Sequence, residues 1–167
     1  MSIISFKNIE MNTHGELPAV GDFIHDVSLT RADLSIVNLS DYKGSRCLIN
    51  IYPSIDTQLC FQSVLDFSSQ LESSDTRLIC VSMDLPFALK RVADGSESLR
   101  HIQLLSDFRN RSLGHLLGLT IADGPLAGLL ARAVILIDED QKVVYTELVQ
   151  DVSQAPNYAD AIAHLGG

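Results

Sequence analysis

Basic residues are scarce in this chain: its 167 residues include 12 Lys and Arg against 21 Asp and Glu, which gives a net charge of −9. A protein that binds nucleic acid through its phosphates needs clustered Lys and Arg, and the sequence contains no such cluster. The composition therefore argues against a nucleic-acid surface. An acidic, solvated exterior is a sufficient explanation for the charge.

Long apolar stretches are also missing. No segment has the roughly 20 consecutive apolar residues that a membrane-spanning helix needs. Residues 1–7 lack both the basic start and the long apolar stretch of a secretory signal. We therefore expect a protein that works in the cytoplasm and does not bind a membrane.

Cysteine is rare: the chain has three, and no two of them have C-x-x-C spacing. An odd number without that spacing argues against a disulfide scaffold or a zinc site. The five histidines show no metal-ligand pairing: His14, His25, His101, His115 and His164. We expect reduced thiols, no metal and no cofactor, which again suits a cytosolic protein.

Apolar periodicity indicates a regular order of elements within one domain, residues 1–167, without an internal repeat or linker. The pattern predicts an N-terminal strand or hairpin near 3–11, a turn at 41–44, strands at 46–52, 77–83, 101–105, 132–138 and 142–149, and helices at 60–73, 87–93, 109–117 and 157–165. Alternating strands and helices indicate an α/β fold. We expect a mostly parallel central sheet with helices on both faces and an antiparallel edge.

One segment, residues 49–61, indicates chemistry. Its apolar, β-branched start predicts a strand that ends at Pro53, and the apolar spacing after Cys60 predicts a helix. Thr57 or Asp56 can cap that helix, which leaves Cys60 in the first turn. There the unpaired backbone N–H groups and the helix dipole favour a thiolate, the form in which cysteine is a nucleophile. The alternative is that Cys60 is one more buried apolar side chain.

Pro53, Thr57 and Cys60 have the spacing P-x-x-x-T-x-x-C, which resembles the active-site signature of the peroxiredoxins. Further matches extend along almost the whole chain: NIYPSIDT at 50–57, DLPFA at 84–88, FRN at 108–110, IADGPLAG at 121–128 and ARAV at 131–134. Together they resemble the bacterial thiol peroxidase branch of that family. The resemblance implies a thioredoxin-like fold with a mixed central sheet. It also implies an enzyme that reduces hydrogen peroxide and alkyl or lipid hydroperoxides.

Four residues are candidates for the catalytic set. The Cys60 thiolate attacks a hydroperoxide oxygen and becomes a sulfenic acid. Thr57 offers a hydroxyl at the start of the helix. Arg132, at the head of an apolar strand, is by resemblance the active-site arginine, whose permanent charge points at the sulfur. Pro53 fixes the loop and shields the sulfur, because its ring locks φ and it has no N–H.

One departure from the family pattern concerns what happens to the sulfenic acid. Thiol peroxidases carry a second, resolving cysteine in the helix after the DLPFA segment, and Ala93 occupies that position here. Cys47 and Cys80 lie on predicted buried strands, so neither should reach Cys60 without local unfolding. We therefore expect reduction by an external thioredoxin-type protein or a small thiol such as glutathione, or by a cysteine of another subunit. Overoxidation becomes a hazard.

Four apolar side chains are candidates for the wall of a peroxide pocket, although each also suits the core: Phe61, Phe87, Leu126 and Leu129. The resemblance further implies a homodimer whose interface lies near residues 121–129 and the Pro53 loop. Two other functions stay open. One is a redox sensor or binding module in which Cys60 is oxidised once and recognised by a partner. The other is a thioredoxin-fold scaffold whose cysteines are merely buried.

Overall fold

The computed structural model describes residues 1–100 and 102–166. Its strands are β1 (Ile3–Phe6), β2 (Ile9–Asn12), β3 (Ser28–Arg31), β4 (Ile36–Asn38), β5 (Cys47–Ile51), β6 (Arg77–Ser82), β7 (Gln103–Ser106), β8 (Ala133–Ile137) and β9 (Val143–Leu148). Its helices are α1 (Gln58–Gln70), α2 (Pro86–Asp94), α3 (Ser112–Leu116) and α4 (Tyr158–Ala163), with 3-10 turns at Leu39–Tyr42 and Glu97–Leu99. The strand expected at 101–105 begins at Gln103, and His101 lies outside the described residues.

Seven strands form the central sheet in the order β4-β3-β7-β6-β5-β8-β9. β5, β6 and β7 pair in parallel, whereas the other four pairings are antiparallel. The mixed sheet implied by the family resemblance is confirmed. The expectation of a mostly parallel sheet is wrong, because antiparallel strands extend the parallel centre on both sides.

β3 and β4 were not expected from the sequence, which predicted only a turn near 41–44 before β5. They form a short hairpin in which Leu34 adopts a positive φ of 74°. β3 has only four residues, SLTR, and β4 only three, so neither shows a clear apolar alternation. Pairing of Thr30 and Arg31 with the end of β7 makes these segments part of the sheet.

Helices cover both faces of the sheet, as predicted. Along β5, Ile49 and Ile51 pack into the cluster that includes α3, whereas Leu48 packs against α1 and α4 on the opposite face. The buried residues of α1 recur at helical spacing: Cys60, Ser63, Val64 and Phe67. The N-terminal end of α1, which carries Cys60, therefore lies against the middle of the sheet.

The N-terminal segment forms the expected hairpin outside the central sheet, β1 pairing antiparallel with β2. Its turn residues Lys7 and Asn8 both have positive φ, as a tight two-residue hairpin turn requires. Ile4 and Met11 point into the core, which docks the hairpin on the sheet. Across the described ranges, no helix is long and apolar enough to cross a membrane.

Candidate active site

β5 leads through the Pro53 loop directly into α1, and this connection sets the position of Cys60. Thr57 is the N-cap residue: its hydroxyl oxygen accepts a hydrogen bond from the backbone N–H of Cys60 at 3.3 Å. Of the two capping residues that the sequence allowed, the structure therefore uses Thr57 rather than Asp56. Cys60 is the third residue of α1, inside the first turn, where backbone N–H groups have no partner within the helix itself.

Arg132 contacts the sulfur of Cys60. Its Nη2 donates to Sγ at 3.4 Å, and its Nε donates to the carbonyl oxygen of Val152 at 3.1 Å. The two residues are 72 positions apart in sequence, but Ala133 is the register partner of Ile51, so β8 begins beside the end of β5. Antiparallel pairing of these strands brings the guanidinium to the cysteine loop.

Arg132 is 2% exposed as a whole residue, and Cys60 is fully buried. Burying a charge costs several kcal/mol unless the charge is paired. Within residues 1–100 and 102–166, Nη1 of Arg132 has no hydrogen-bond partner. A buried guanidinium with one Nη group unpaired costs stability. Its presence beside a thiol therefore indicates a role in the chemistry of that thiol rather than in the stability of the core.

The Thr57 hydroxyl makes two hydrogen bonds at the start of α1. Its hydrogen is directed at the carbonyl oxygen of Ser54, at 3.2 Å, while its oxygen accepts the Cys60 N–H. The side chain therefore joins the loop to the first turn of α1. In this state the hydroxyl fixes the backbone of Cys60 and does not donate to the sulfur.

Asp84 braces the Pro53 loop and was not singled out from the sequence. Its carboxylate accepts hydrogen bonds from the Ser54 hydroxyl at 2.7 Å, the Ile55 N–H at 2.7 Å and the Ser82 hydroxyl at 2.6 Å. The loop is thus fixed to the carboxyl end of β6. The available signal was an acidic residue at the start of the DLPFA segment, separated by one residue from the end of the buried strand β6.

A buried polar network holds α1 against β5. The Asn50 side chain donates to the Ser63 hydroxyl at 3.0 Å, and that hydroxyl donates to the carbonyl oxygen of Cys60 at 2.7 Å. Asn50 is the one polar residue in the strand CLINI, a signal that could have indicated this network from the sequence.

Asp56, the other capping residue that the sequence allowed, forms an exposed ion pair with Arg91 of α2 at 2.8 Å. Ion pairs of this exposed type contribute little to stability.

An apolar cavity of about 290 Å³ opens beside the sulfur. The four predicted catalytic residues all line it, and they do so with seven further residues: Phe6, Ser54, Leu59, Leu126, Leu129, Val152 and Ser153. Leu126 and Leu129 were expected in this wall. Phe61 and Phe87 were candidates but lie elsewhere: Phe61 packs into the core around Cys60, and Phe87 is 67% exposed.

The other two cysteines are buried and free, as predicted. Cys47 belongs to the core on the α3 side of the sheet, away from Cys60. Cys80, in the central strand β6, shares a core cluster with Cys60. Burial raises the pKa of Cys47 to about 11, with Arg77 opposing the shift, and raises the pKa of Cys80 far more, with Asn50 opposing it.

These shifts predict how the cysteines react with iodoacetamide. At pH 8 we expect labelling of Cys60 first, because its sulfur lines a cavity while the other two thiols stay protonated in the core. The Cys47 thiolate population rises tenfold per pH unit below its pKa, so its labelling rate should rise about 100-fold from pH 8 to pH 10. Peptide mapping measures each site. Equal labelling of all three at pH 8 would contradict this picture.

The same pKa shift has a consequence for stability. Between the ordinary thiol value of 9.0 and about 11, folded Cys47 keeps its proton whereas the unfolded chain has lost it. The unfolded state then binds fewer protons, so the free energy of unfolding falls as pH rises through this window.

Thr57→Val tests the contribution of the helix cap, because valine has nearly the shape of threonine but no hydroxyl to accept the Cys60 N–H. Losing the hydroxyl should lower the free energy of unfolding by about 1 kcal/mol. It should lower kcat/KM for cumene hydroperoxide by about tenfold, because the first turn of α1 is no longer fixed to the loop. Thr57→Ser, which keeps the hydroxyl, is the matched control. Full activity in Thr57→Val would remove this residue from the active site.

A cysteine in the first turn of a helix, with a guanidinium on its sulfur, is an arrangement typical of thiol-based redox proteins. The chain belongs to the Redoxin family, whose model matches residues 19–162.

Individual relatives agree with this assignment. The chain is 45% identical over 166 residues, covering 99% of both proteins, to a thiol peroxidase of Mycobacterium tuberculosis. Two solved structures superpose closely. A peroxiredoxin-like protein from Aquifex aeolicus has a TM-score of 0.90 at 30% identity, covering 98% of this chain and 95% of its own. A thiol peroxidase from Chromobacterium violaceum has a TM-score of 0.90 at 25% identity, covering 98% and 94%.

Proposed function

We propose that Cys60 is the residue through which this chain reduces hydroperoxides. The chain is a peroxiredoxin-type enzyme that reduces peroxides at the expense of thiols, as its Redoxin family and its thiol peroxidase relatives support. The observation that carries the assignment of Cys60 is the 3.4 Å contact between its sulfur and Nη2 of Arg132. Burial alone would not separate an active cysteine from a core cysteine, whereas a guanidinium on the sulfur and an adjoining cavity favour an active one.

The first chemical step transfers one oxygen atom. The Cys60 thiolate attacks the terminal oxygen of the hydroperoxide, and the S–O bond forms as the O–O bond breaks. Cysteine is oxidised to sulfenic acid, while the departing alkoxide takes a proton and leaves as an alcohol, or as water from hydrogen peroxide. Arg132 stabilises the negative charge of the thiolate and the negative charge that develops on the departing oxygen. Its Nη2 donates to the sulfur, and its Nη1, which has no protein partner in the described structure, is the donor for the departing oxygen.

Thr57 and Pro53 complete the proposed catalytic set without exchanging protons or electrons. Thr57 holds the Cys60 backbone in the first turn of α1. Pro53 forms part of the cavity wall next to the sulfur. A fixed nucleophile beside an apolar cavity suits alkyl and lipid hydroperoxides, since their hydrocarbon chains gain from leaving water.

The reductant is proposed to be external. Ala93 of α2 packs against the core cluster of Cys60 and has no sulfur to offer, and the two remaining cysteines are buried. One thiol therefore condenses with the sulfenic acid, releasing water and forming a mixed disulfide, and a second thiol displaces Cys60 from it. A thioredoxin-type protein or glutathione supplies these thiols.

Turnover with added thiols tests this cycle. We expect wild-type protein to consume many equivalents of cumene hydroperoxide with glutathione, or with thioredoxin, its reductase and NADPH. Without a thiol, it should consume only the peroxide needed to oxidise Cys60, and excess peroxide should drive Cys60 to sulfinic acid. Ala93→Cys is the matched variant, in which an intrachain disulfide should protect Cys60. A single turnover under every thiol tried would favour the redox sensor instead.

A homodimer is part of the same proposal. Leu34, Leu85, Phe87 and Phe108 are each between 45% and 67% exposed, and all four line one groove of about 500 Å³. Exposed apolar side chains gathered at one place are typical of interaction surfaces. This groove is a second candidate for the surface at which two copies pair, besides residues 121–129 and the Pro53 loop, where the family resemblance located the interface.

Location and domain extent complete the proposal. Three free cysteines suit a reducing compartment, which supports the cytoplasm. Residues 1–167 are proposed to form one domain. The N-terminal hairpin, which precedes the matched residues 19–162, supports this because the backbone of Ser5 is hydrogen-bonded to residues 150 and 152.

A further inference from the structure

The carbonyl group of Val152 holds Arg132 in place. It accepts a hydrogen bond from Nε at 3.1 Å, while the N–H of Val149 donates to the Arg132 carbonyl at 3.0 Å. A guanidinium is planar and rigid, so a partner at Nε determines where the two Nη groups point. Among the described residues, the Arg132 side chain has only Val152 O and Cys60 Sγ as hydrogen-bond partners. The position of Val152 therefore determines whether Nη2 of Arg132 points at the sulfur of Cys60.

β1 holds the segment that contains Val152. The N–H of Val152 donates to the carbonyl oxygen of Ser5 at 2.8 Å, and the N–H of Ser5 donates to the carbonyl oxygen of Gln150 at 2.7 Å. These two bonds form a parallel bridge between Ser5 and Asp151. Segment 150–152 lies beyond the end of β9, where the strand pairing of the central sheet has ended. Its backbone is held instead by this bridge to β1.

The side chains next to Ser5 anchor β1 on the same face. Ile4 is buried in the core, and Phe6 lines the cavity beside the sulfur. β1 therefore has a fixed position relative to both the core and the active site. A displacement of β1 would move Val152 and the cavity wall together.

We propose that β1 is a positioning element of the active site: the backbone of Ser5 fixes Val152, whose carbonyl orients Arg132 towards Cys60. β1 therefore acts on the active site through Val152 and is not only a structural extension. This inference deepens the function proposed above, and its kinetic test rests on that function.

Ser5→Pro tests the link, because proline removes the N–H that bonds Gln150. Ser5 directs both its N–H and its carbonyl at segment 150–152, so its pair with Glu10 on β2 is a non-hydrogen-bonded pair. Glu10→Pro is then the matched control: it places a proline directly opposite, in the same hairpin, at an amide that points away from β1. Thermal unfolding of both variants measures the shared cost to the hairpin.

We expect Ser5→Pro to lower kcat/KM for cumene hydroperoxide by at least about tenfold, since small displacements of a catalytic group are costly. Glu10→Pro should stay within about twofold of wild type. In an Arg132→Met background, Ser5→Pro should have almost no further effect, because a residue that acts through Arg132 cannot act without it. An equal loss in both backgrounds, or none in wild type, would overturn the proposal.

A second measurement requires no peroxide chemistry. Iodoacetate is an anion and iodoacetamide is neutral, so the ratio of their rates at Cys60 reports the positive charge at the sulfur. We expect Ser5→Pro, but not Glu10→Pro, to lower this ratio. If wild type fails to consume peroxide yet the ratio falls as stated, the proposed function fails while the positioning role stands. An unchanged ratio in an enzyme that consumes peroxide overturns the positioning role alone.

Val152→Pro serves if Ser5→Pro does not fold. It removes the N–H that donates to Ser5 and keeps the carbonyl that accepts from Arg132. The same two readouts apply, the value of kcat/KM and the alkylation ratio. The Arg132→Met background shows whether a loss arises from the changed orientation of Arg132 or from a changed cavity shape, because only the second persists in that background. A Val152→Pro protein with the wild-type alkylation ratio and rate would overturn the proposal.

Discussion

Cys60→Ser should lower kcat/KM for peroxide reduction by about 10⁴-fold or more, the scale on which loss of a nucleophile acts. A serine hydroxyl stays protonated at neutral pH and cannot accept an oxygen atom to form a sulfenic acid. Sulfur and oxygen are close in size, and Cys60 is fully buried within α1, so the fold should survive the exchange. Peroxide consumption with added thiols measures the effect.

Cys47→Ala and Cys80→Ala are the matched controls. Each removes a buried thiol whose pKa is raised by burial and should cost stability without abolishing activity. We expect both variants to keep kcat/KM within about threefold of wild type, since neither sulfur takes part in the transfer. Loss of turnover in Cys80→Ala, in a folded protein, would show that Cys80 resolves Cys60 after local unfolding.

Arg132→Met should lower kcat/KM by about 10² to 10³-fold, the range observed when one preorganised donor to a developing charge is removed. Methionine fills a similar length without a charge. The partners of the Arg132 side chain in the described structure are a carbonyl oxygen and a cysteine sulfur, neither of which must stay charged without it, so Met removes a buried charge and leaves no other charge unpaired. We therefore expect the thermal midpoint to stay level or rise while activity falls. This opposite movement distinguishes a catalytic guanidinium from a structural one.

Arg132→Lys is the control for charge without geometry. Lysine keeps the positive charge but has no Nε–H to donate to Val152 and no planar fork to aim at the sulfur. We expect a rate between those of wild type and Arg132→Met. Full activity in Arg132→Met would contradict the role assigned to the 3.4 Å contact with Cys60.

Local signals in the sequence predicted the parts of the site that local structure determines. The apolar run ending at Pro53 and the helical spacing after Cys60 predicted the strand-loop-helix unit, and Thr57 is one of the two capping residues that were considered. Capping and periodicity depend on neighbours within a few residues, which is why one chain sufficed. The roles of these residues as a catalytic set remain predictions.

Residues that reach the site from distant segments were beyond such signals. Phe6 and Val152 line the cavity because β1 pairs with segment 150–152, a contact between the two ends of the chain. β3 and β4 were missed because their pairing with β7 decides their conformation, and their own patterns are too short. Arg132 was conspicuous as a charge at the head of an apolar strand, but its assignment as the active-site arginine came from the family resemblance, since nothing local to ARAV indicates a cysteine 72 residues away.

Mass spectrometry of the reduced protein after one equivalent of cumene hydroperoxide tests the central claim most directly. Thiol trapping and peptide mapping then report the state of all three cysteines. We expect the peptide that contains Cys60 to gain the mass of one oxygen atom, while Cys47 and Cys80 are recovered as trapped thiols. An unmodified Cys60, or a disulfide that joins it to Cys47 or Cys80, would contradict the mechanism proposed for this chain.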